Sequence, residues 1–367
     1  IFLAVMITDV ILLDLFNTFG LPTSTTVSIV FELLGAAVAM SMLKIIRADG
    51  GFTELVDYIN TGTALVIIGG ILLSVVVAFA CGAFAQLFTR LIFTFDYARR
   101  LNRYGALWGG VALTSITYFI LVKGAKGASF ITPERAEWIA ENAVVILAII
   151  FVMSAVLLQI LLALGGNILK PIVLIGTFAL AMAFAANDLV NFIGVPMAGY
   201  HAYEAAAASD APLEVTMDAL GEKVPTETRL LLLAGAIMAV TLWVSRKART
   251  VTETEINLGQ QEEGLERFES TLLSQGIVRM TLSLMEVFRR MTPAPLRKMA
   301  TRRLDTRLYA AAVDEDTRPS FDMLRASVNL MVASAVISYA TSYKLPLSTT
   351  YVTFMVAMGT SFADQAW

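Results

Sequence analysis

The chain has 367 residues, 57% of them hydrophobic and only 16% charged, with a mean hydropathy of +0.72. That balance excludes an ordinary water-soluble domain and identifies a polytopic membrane protein. A formal net charge of -3 is too small to indicate nucleic acid or another strongly charged partner, so the lipid bilayer is the first partner to consider.

Ile1 lies inside an apolar run with no Met, basic leader or cleavage site, and Tyr351 to Trp367 ends inside another, so the sequence reads as an excerpt of a longer protein. Runs long enough to cross hydrocarbon fall at about 1–16, 25–45, 61–88, 104–124, 139–165, 171–194, 229–245 and 321–341, with a last one begun near 349. Most are rich in Gly and Ala, as closely packed membrane helices tend to be. The fold class is all-α, a polytopic transmembrane helical bundle. Cys81 stands alone in an apolar run, which leaves neither a disulfide nor a cysteine metal site. His201 is the single histidine and reads as a loop residue near a helix end, since metal sites need clusters.

Loop charge orients the spans. Arg90, Arg99, Arg100 and Arg103 crowd one connection, and Arg246, Lys247 and Arg249 follow the span ending near Val244, which places both in the cytoplasm. The acidic stretch from Glu204 through Asp210, Glu214, Asp218, Glu222 and Glu227 fits the outside, while Lys44 and Arg47 run against the scheme. Between Thr250 and Pro319 lies one long polar insertion, acidic first and basic later. Leu265, Phe268, Leu272, Ile277, Met280, Leu284 and Phe288 recur there near the helical period, which predicts an amphipathic helix on the cytoplasmic face within a linker between two halves. It holds no phosphate loop, zinc spacing or nucleophile elbow, and nothing in the chain indicates an enzyme or a bound cofactor.

Two features carry chemistry. The first is Ala185-Ala186-Asn187-Asp188-Leu189-Val190-Asn191-Phe192-Ile193-Gly194, at the end of an apolar run. A charge at the centre of a bilayer costs at least a few kcal/mol, so something must compensate it. Asn187, Asp188 and Asn191 can share one helical face, and Gly194, Pro196 and Gly199 are expected to weaken the helix beyond them. Such a face suits a small ion site, although a polar seam between packed helices accounts for it equally well.

The second feature is a repeat. Leu21-Pro22-Thr23-Ser24-Thr25-Thr26 and Leu345-Pro346-Leu347-Ser348-Thr349-Thr350 share the pattern Leu-Pro-x-Ser-Thr-Thr, and each precedes an apolar helix. Ser and Thr there are capping residues at the positive end of the helix dipole, and adjacent hydroxyls add donors suited to an anion. Counting spans from the loop charges puts the first copy on the cytoplasmic side and the second on the outer side. This predicts inverted repeats with broken or re-entrant helices, an arrangement that suits a secondary transporter.

In these motifs the chain resembles the inorganic phosphate transporters of the PiT type, which are similar to the type III sodium–phosphate cotransporters. That family carries Gly-Ala-Asn-Asp-Val-Ala-Asn-x-x-Gly in each of two inverted halves, and each half has a Pro-x-Ser-Thr-Thr-His stretch. Residues 185–194 resemble the second-half signature, so the resemblance places the first-half signature upstream of Ile1. Ala185 stands where the family has Gly, and Val27 and Tyr351 stand where it has His, which marks a divergent branch. The resemblance implies that Ser24, Thr25, Thr26, Ser348, Thr349 and Thr350 donate to phosphate. It implies that Asn187, Asp188 and Asn191 hold a sodium ion or bridge the cation to the anion.

The chain divides accordingly into the remainder of a first repeat with connecting spans (1–165), the start of a second repeat with the Asn-Asp signature (166–245), the cytoplasmic loop (246–320) and the second Ser-Thr-Thr segment (321–367). The expected function is a permease of the cytoplasmic (inner) membrane that carries inorganic phosphate by alternating access, coupled to sodium or protons. Another oxyanion such as sulfate, an anion channel and a non-transporting scaffold are the alternatives, and assembly into a homo-oligomer is left open. Of the other acids in the spans, Asp14 and Glu32 flank the first hydroxyl stretch and are read as structural, and Asp9 could sit at an interface.

Overall fold

The computed structural model describes residues 1–21, 23–95, 97–118, 132–212, 227–249, 322–343 and 347–364, together with Gly221, Gln275, Arg279, Ser283, Arg303 and Leu345. The end of the run predicted at 104–124 and nearly all of the 250–319 insertion, with its amphipathic helix, lie outside them. The described residues form helices α1 (Phe2–Thr18), α2 (Thr25–Arg47), α3 (Leu55–Tyr58), α4 (Thr61–Phe93), α5 (Ala98–Tyr118), α6 (Pro133–Glu141), α7 (Ala143–Ala163), α8 (Leu169–Ala207), α9 (Thr228–Val244), α10 (Met323–Ser342) and α11 (Thr349–Asp364), with no strand among them. By length and composition α2, α4, α7 and α10 can each cross a membrane. Leu65, Leu72 and Leu73 of α4 and Val144 and Leu157 of α7 point outward and exposed, as lipid-facing side chains do. This is an all-α, multi-pass membrane bundle.

Both hydroxyl stretches follow the same chain reversal. Helix α1 is followed by Gly20 at φ +62, a left-handed conformation that glycine adopts without strain, and the Leu21 amide donates to the Phe16 carbonyl at 2.9 Å. In the second half the Leu345 amide donates to the Ala340 carbonyl at 3.0 Å, five residues back as before. Ser28, in the first turn of α2, reaches Asp9, nine residues before the end of α1. Helix α2 therefore lies back beside α1 and starts within the bundle.

The two reversals leave α8 in opposite directions. Ile29 of α2 packs with Val195, further along α8, and with Val5 of α1. Helix α11 instead runs to Asp364, which meets Arg90 at the end of α4, where Ile168 and Leu169 begin α8 beside Phe93 and Leu324. The opposed directions expected of inverted repeats are thus present in the packing.

The sequence predicts a weak point at Gly194, Pro196 and Gly199, yet α8 continues through all three to Ala207, with Pro196 inside it. Burial of Val195 and Met197 on either side of the proline offsets the roughly 3 kcal/mol that an interior proline costs. His201 accordingly lies within α8 and not in a loop, with its Nδ1 3.1 Å from Glu204 one turn on.

Helices α4 and α11 cross backbone to backbone. A Cβ added at Gly82 would lie 2.5 Å from the Val356 carbonyl oxygen, and one at Gly359 would lie 2.2 Å from that of Phe79. Small residues allow this approach, as in other membrane helix pairs. At the end of the crossing sits a buried ion cluster, so Arg90, counted above as a loop charge, is in fact fully buried in the last turn of α4. Its guanidinium donates to both Asp364 oxygens, at 2.9 and 2.7 Å, and also to Asp322. The Gln86 amide donates to the same Asp364 oxygens at 3.0 and 2.8 Å. Asp322 in turn caps α10 through the Leu324 and Arg325 amides, so one cluster ties α4, α10 and α11 together.

Gly359→Ala should destabilise the detergent-solubilised protein by about 1–3 kcal/mol through overpacking, whereas Gly69→Ala on α4, with nothing within 4 Å of the new Cβ, should not. Arg90→Met, which strands two buried carboxylates, should cost about 3–5 kcal/mol in the same thermal unfolding measurement.

Candidate functional site

Asp188 is the middle residue of α8, with nineteen residues on either side of it in Leu169–Ala207. At this depth its carboxylate needs donors, and the two hydroxyl repeats bring them. Thr349, the first residue of α11, donates from Oγ1 to Oδ1 and Oδ2 of Asp188, at 3.1 Å each. Thr25, the first residue of α2, approaches Oδ1 from the other side at a longer 3.5 Å. Two helix N-termini, both positive ends of their dipoles, thus converge on one acid.

The flanking residues brace this arrangement. Ser24 caps α2 by accepting from the Val27 amide at 3.2 Å, and Ser348 caps α11 by accepting from the Tyr351 amide at 3.0 Å. Each cap uses one acceptor lone pair of a buried hydroxyl and leaves its O–H to be aimed elsewhere. Thr350 donates to the Thr23 carbonyl at 3.3 Å, which joins the two repeats directly. One turn past Asp188, the Asn191 amide donates to Thr26 Oγ1 at 2.7 Å.

Eight of the nine residues singled out in the sequence therefore gather around the middle of α8. The ninth, Asn187, belongs to the same helix, and its side chain lies outside the described residues. Among the described residues no three His, Cys, Asp or Glu side chains converge, so a cation held at Asp188 would draw its other ligands from hydroxyl, amide and carbonyl oxygens. An all-oxygen donor set of that kind suits a hard cation.

One turn beyond Thr25 on α2, Ser28 Oγ lies 3.1 Å from Asp9 Oδ1 and 2.8 Å from Glu32 Oε1. Its single hydroxyl hydrogen can serve only one of these acids. The second contact is a hydrogen bond only when the other carboxyl carries a proton. Asp9 is thus buried against α2 and Glu32 faces it through a shared hydroxyl, an arrangement that their separate positions in the sequence did not indicate. Helical spacing alone does connect Thr25, Ser28 and Glu32 on one face of α2.

A cavity of about 700 Å³ opens beside the site between α1, α8 and α9. Thr23, Thr25 and Thr350 form its polar floor, and Leu13, Phe192, Pro196, Ile237 and Met238 are among its apolar walls. Asp14, read from sequence as a neighbour of the hydroxyl stretch, instead pairs with Lys247 at 2.6 Å, and both side chains are about half exposed. Sequence reasoning used Lys247 only as an orientation signal, because nothing local links it to a residue 233 positions away.

No curated protein and no solved structure matches the chain. A model of the phosphate transporter family matches residues 1–255, a span that contains both the first Ser-Thr-Thr stretch and the Asn-Asp signature. With that match covering more than half of its length, the chain belongs to the phosphate transporter family.

Proposed function

We propose that the protein is a cation-coupled permease that carries inorganic phosphate by alternating access, with sodium or a proton as the coupling ion. The observation that supports this most is the sharing of Thr349 and Thr25 hydroxyls by one carboxylate at the meeting point of two oppositely directed helix starts. Asp188 occupies the place where helix N-termini favour an anion.

Coupling follows from hydrogen-bond arithmetic. Thr349 has one hydroxyl proton and gives it to Asp188, so it cannot donate to a phosphate oxygen at the same time. A sodium ion or proton on Asp188 removes its need for that donor and cancels a charge that would repel the anion. The freed Thr25 and Thr349 hydroxyls, with Thr26, the O–H groups of Ser24 and Ser348 and, once it gives up the Thr23 carbonyl, Thr350, then replace water around phosphate. Asn187 and Asn191 join Asp188 around the cation. Each net positive charge entering a cell held at 100 mV, inside negative, gains about 2.3 kcal/mol, which can drive the anion inward. In this reading the segments 1–165, 166–245, 246–320 and 321–367 are parts of two repeats joined by a cytoplasmic loop, in the inner membrane.

Labelled phosphate uptake into proteoliposomes tests the proposal. Thr349→Val should weaken phosphate affinity by about tenfold, the worth of one hydrogen bond to a charged group, while Thr349→Ser should restore most of it. Asp188→Asn should abolish the dependence of uptake on the cation gradient without unfolding the protein. Unchanged half-saturation in Thr349→Val, or gradient-driven uptake in Asp188→Asn, would refute the assignment, and competition by sulfate measures the selectivity of the same site.

A further inference from the structure

An ion pair joins two stretches of chain that line the cavity beside the site. Leu13 and Asn17 of α1 line one wall, and Asp14 lies between them in sequence; Ser245 and Ala248 line the opposite wall, and Lys247 lies between those. The 2.6 Å contact between Lys247 Nζ and Asp14 Oδ1 therefore spans the two walls. Helix α9 has no buried residue among those described, and this pair links the chain just after it to α1. The lining is largely apolar, and its hydroxyl donors include Thr23, Thr25 and Thr350 of the site. Lys247, between two lining residues and half exposed, is a cationic side chain placed to receive an anion leaving water for this cavity.

We propose that Lys247 is a positioning residue that captures the oxyanion at the mouth of this cavity, and that Asp14 is its resting counter-ion, displaced as the anion arrives. This rests on the phosphate reading above. Phosphate carries more charge and more acceptor oxygens than a carboxylate, so it competes for the three N–H donors of the lysine. Asp14, once released, is free to pair with the coupling cation, which offsets one of the negative charges the anion brings. Because both side chains are half exposed, the pair itself is weak and readily exchanged.

The distinguishing feature is the sign of two neutralisations. A merely structural pair is broken equally by either change, whereas competition for Lys247 makes them opposite. Equilibrium phosphate binding to the intact, detergent-solubilised protein should weaken by about fivefold in Lys247→Gln, and strengthen by about threefold in Asp14→Asn, the range expected of an exposed pair. Lys247→Arg should keep the unmodified affinity, and Lys247→Gln should flatten the dependence on ionic strength. In a Cys81→Ser background, phosphate should also slow labelling of Thr241→Cys, whose position lines the cavity, by a thiol reagent. Changes of the same sign in Lys247→Gln and Asp14→Asn, no change in either, or labelling that phosphate leaves untouched would overturn the proposal. Parallel titration with sulfate separates the two claims: if only sulfate binds, the substrate reading fails while the opposite signs still decide the role of Lys247. Failure of the unmodified protein to bind either anion overturns both.

Discussion

The structure turns on one half-buried carboxylate. Asp188 sits at the centre of the longest described helix, in a bundle whose outer surface is apolar, and its carboxylate is held by hydroxyls that two other helices present at their first residues. A charge at that depth is costly unless it is hydrogen-bonded. Meeting that requirement with helix N-termini fixes where α2 and α11 must begin, and so why each follows a reversal that turns the chain back into the protein. The shared bond from Leu21 to Phe16 and from Leu345 to Ala340 is the local means to the same end.

The rest of the architecture positions those two helix starts. On one side the Gly82 and Gly359 contacts and the Arg90, Asp322 and Asp364 cluster bind α11 to α4 and α10. On the other, α2 is held through Val5, Ile29 and Val195 and through Ser28 with Asp9 and Glu32. The two groups meet around the middle of α8, where Thr350 reaches the Thr23 carbonyl. Two groups of helices that share α8 and meet at a polar centre, with a cavity beside it, fit the alternating-access carrier proposed above.

Much of this was legible in the sequence because it is local. The apolar runs located the spanning helices, closely at α1, α2 and α9 but thirteen residues short at the end of α8, and Leu-Pro-x-Ser-Thr-Thr marked the two caps, since capping is set by the residues next to the helix start. What the sequence could not supply was long-range choice. Gly194, Pro196 and Gly199 suggested a break, yet the packing of Val195 and Met197 kept α8 continuous. Arg90 looked like one more loop charge because its partner Asp364 is 274 residues away. The meeting of Thr25 and Thr349 at Asp188 could be expected only from the family resemblance, because no periodicity relates positions so far apart.

Linkage between the two ligands tests the central claim most directly. If a cation on Asp188 frees the hydroxyls that phosphate needs, then phosphate affinity measured at equilibrium on the intact protein must rise with sodium, or with proton concentration, and cation affinity must rise with phosphate by the same factor. Phosphate binding that is indifferent to both cations would contradict it.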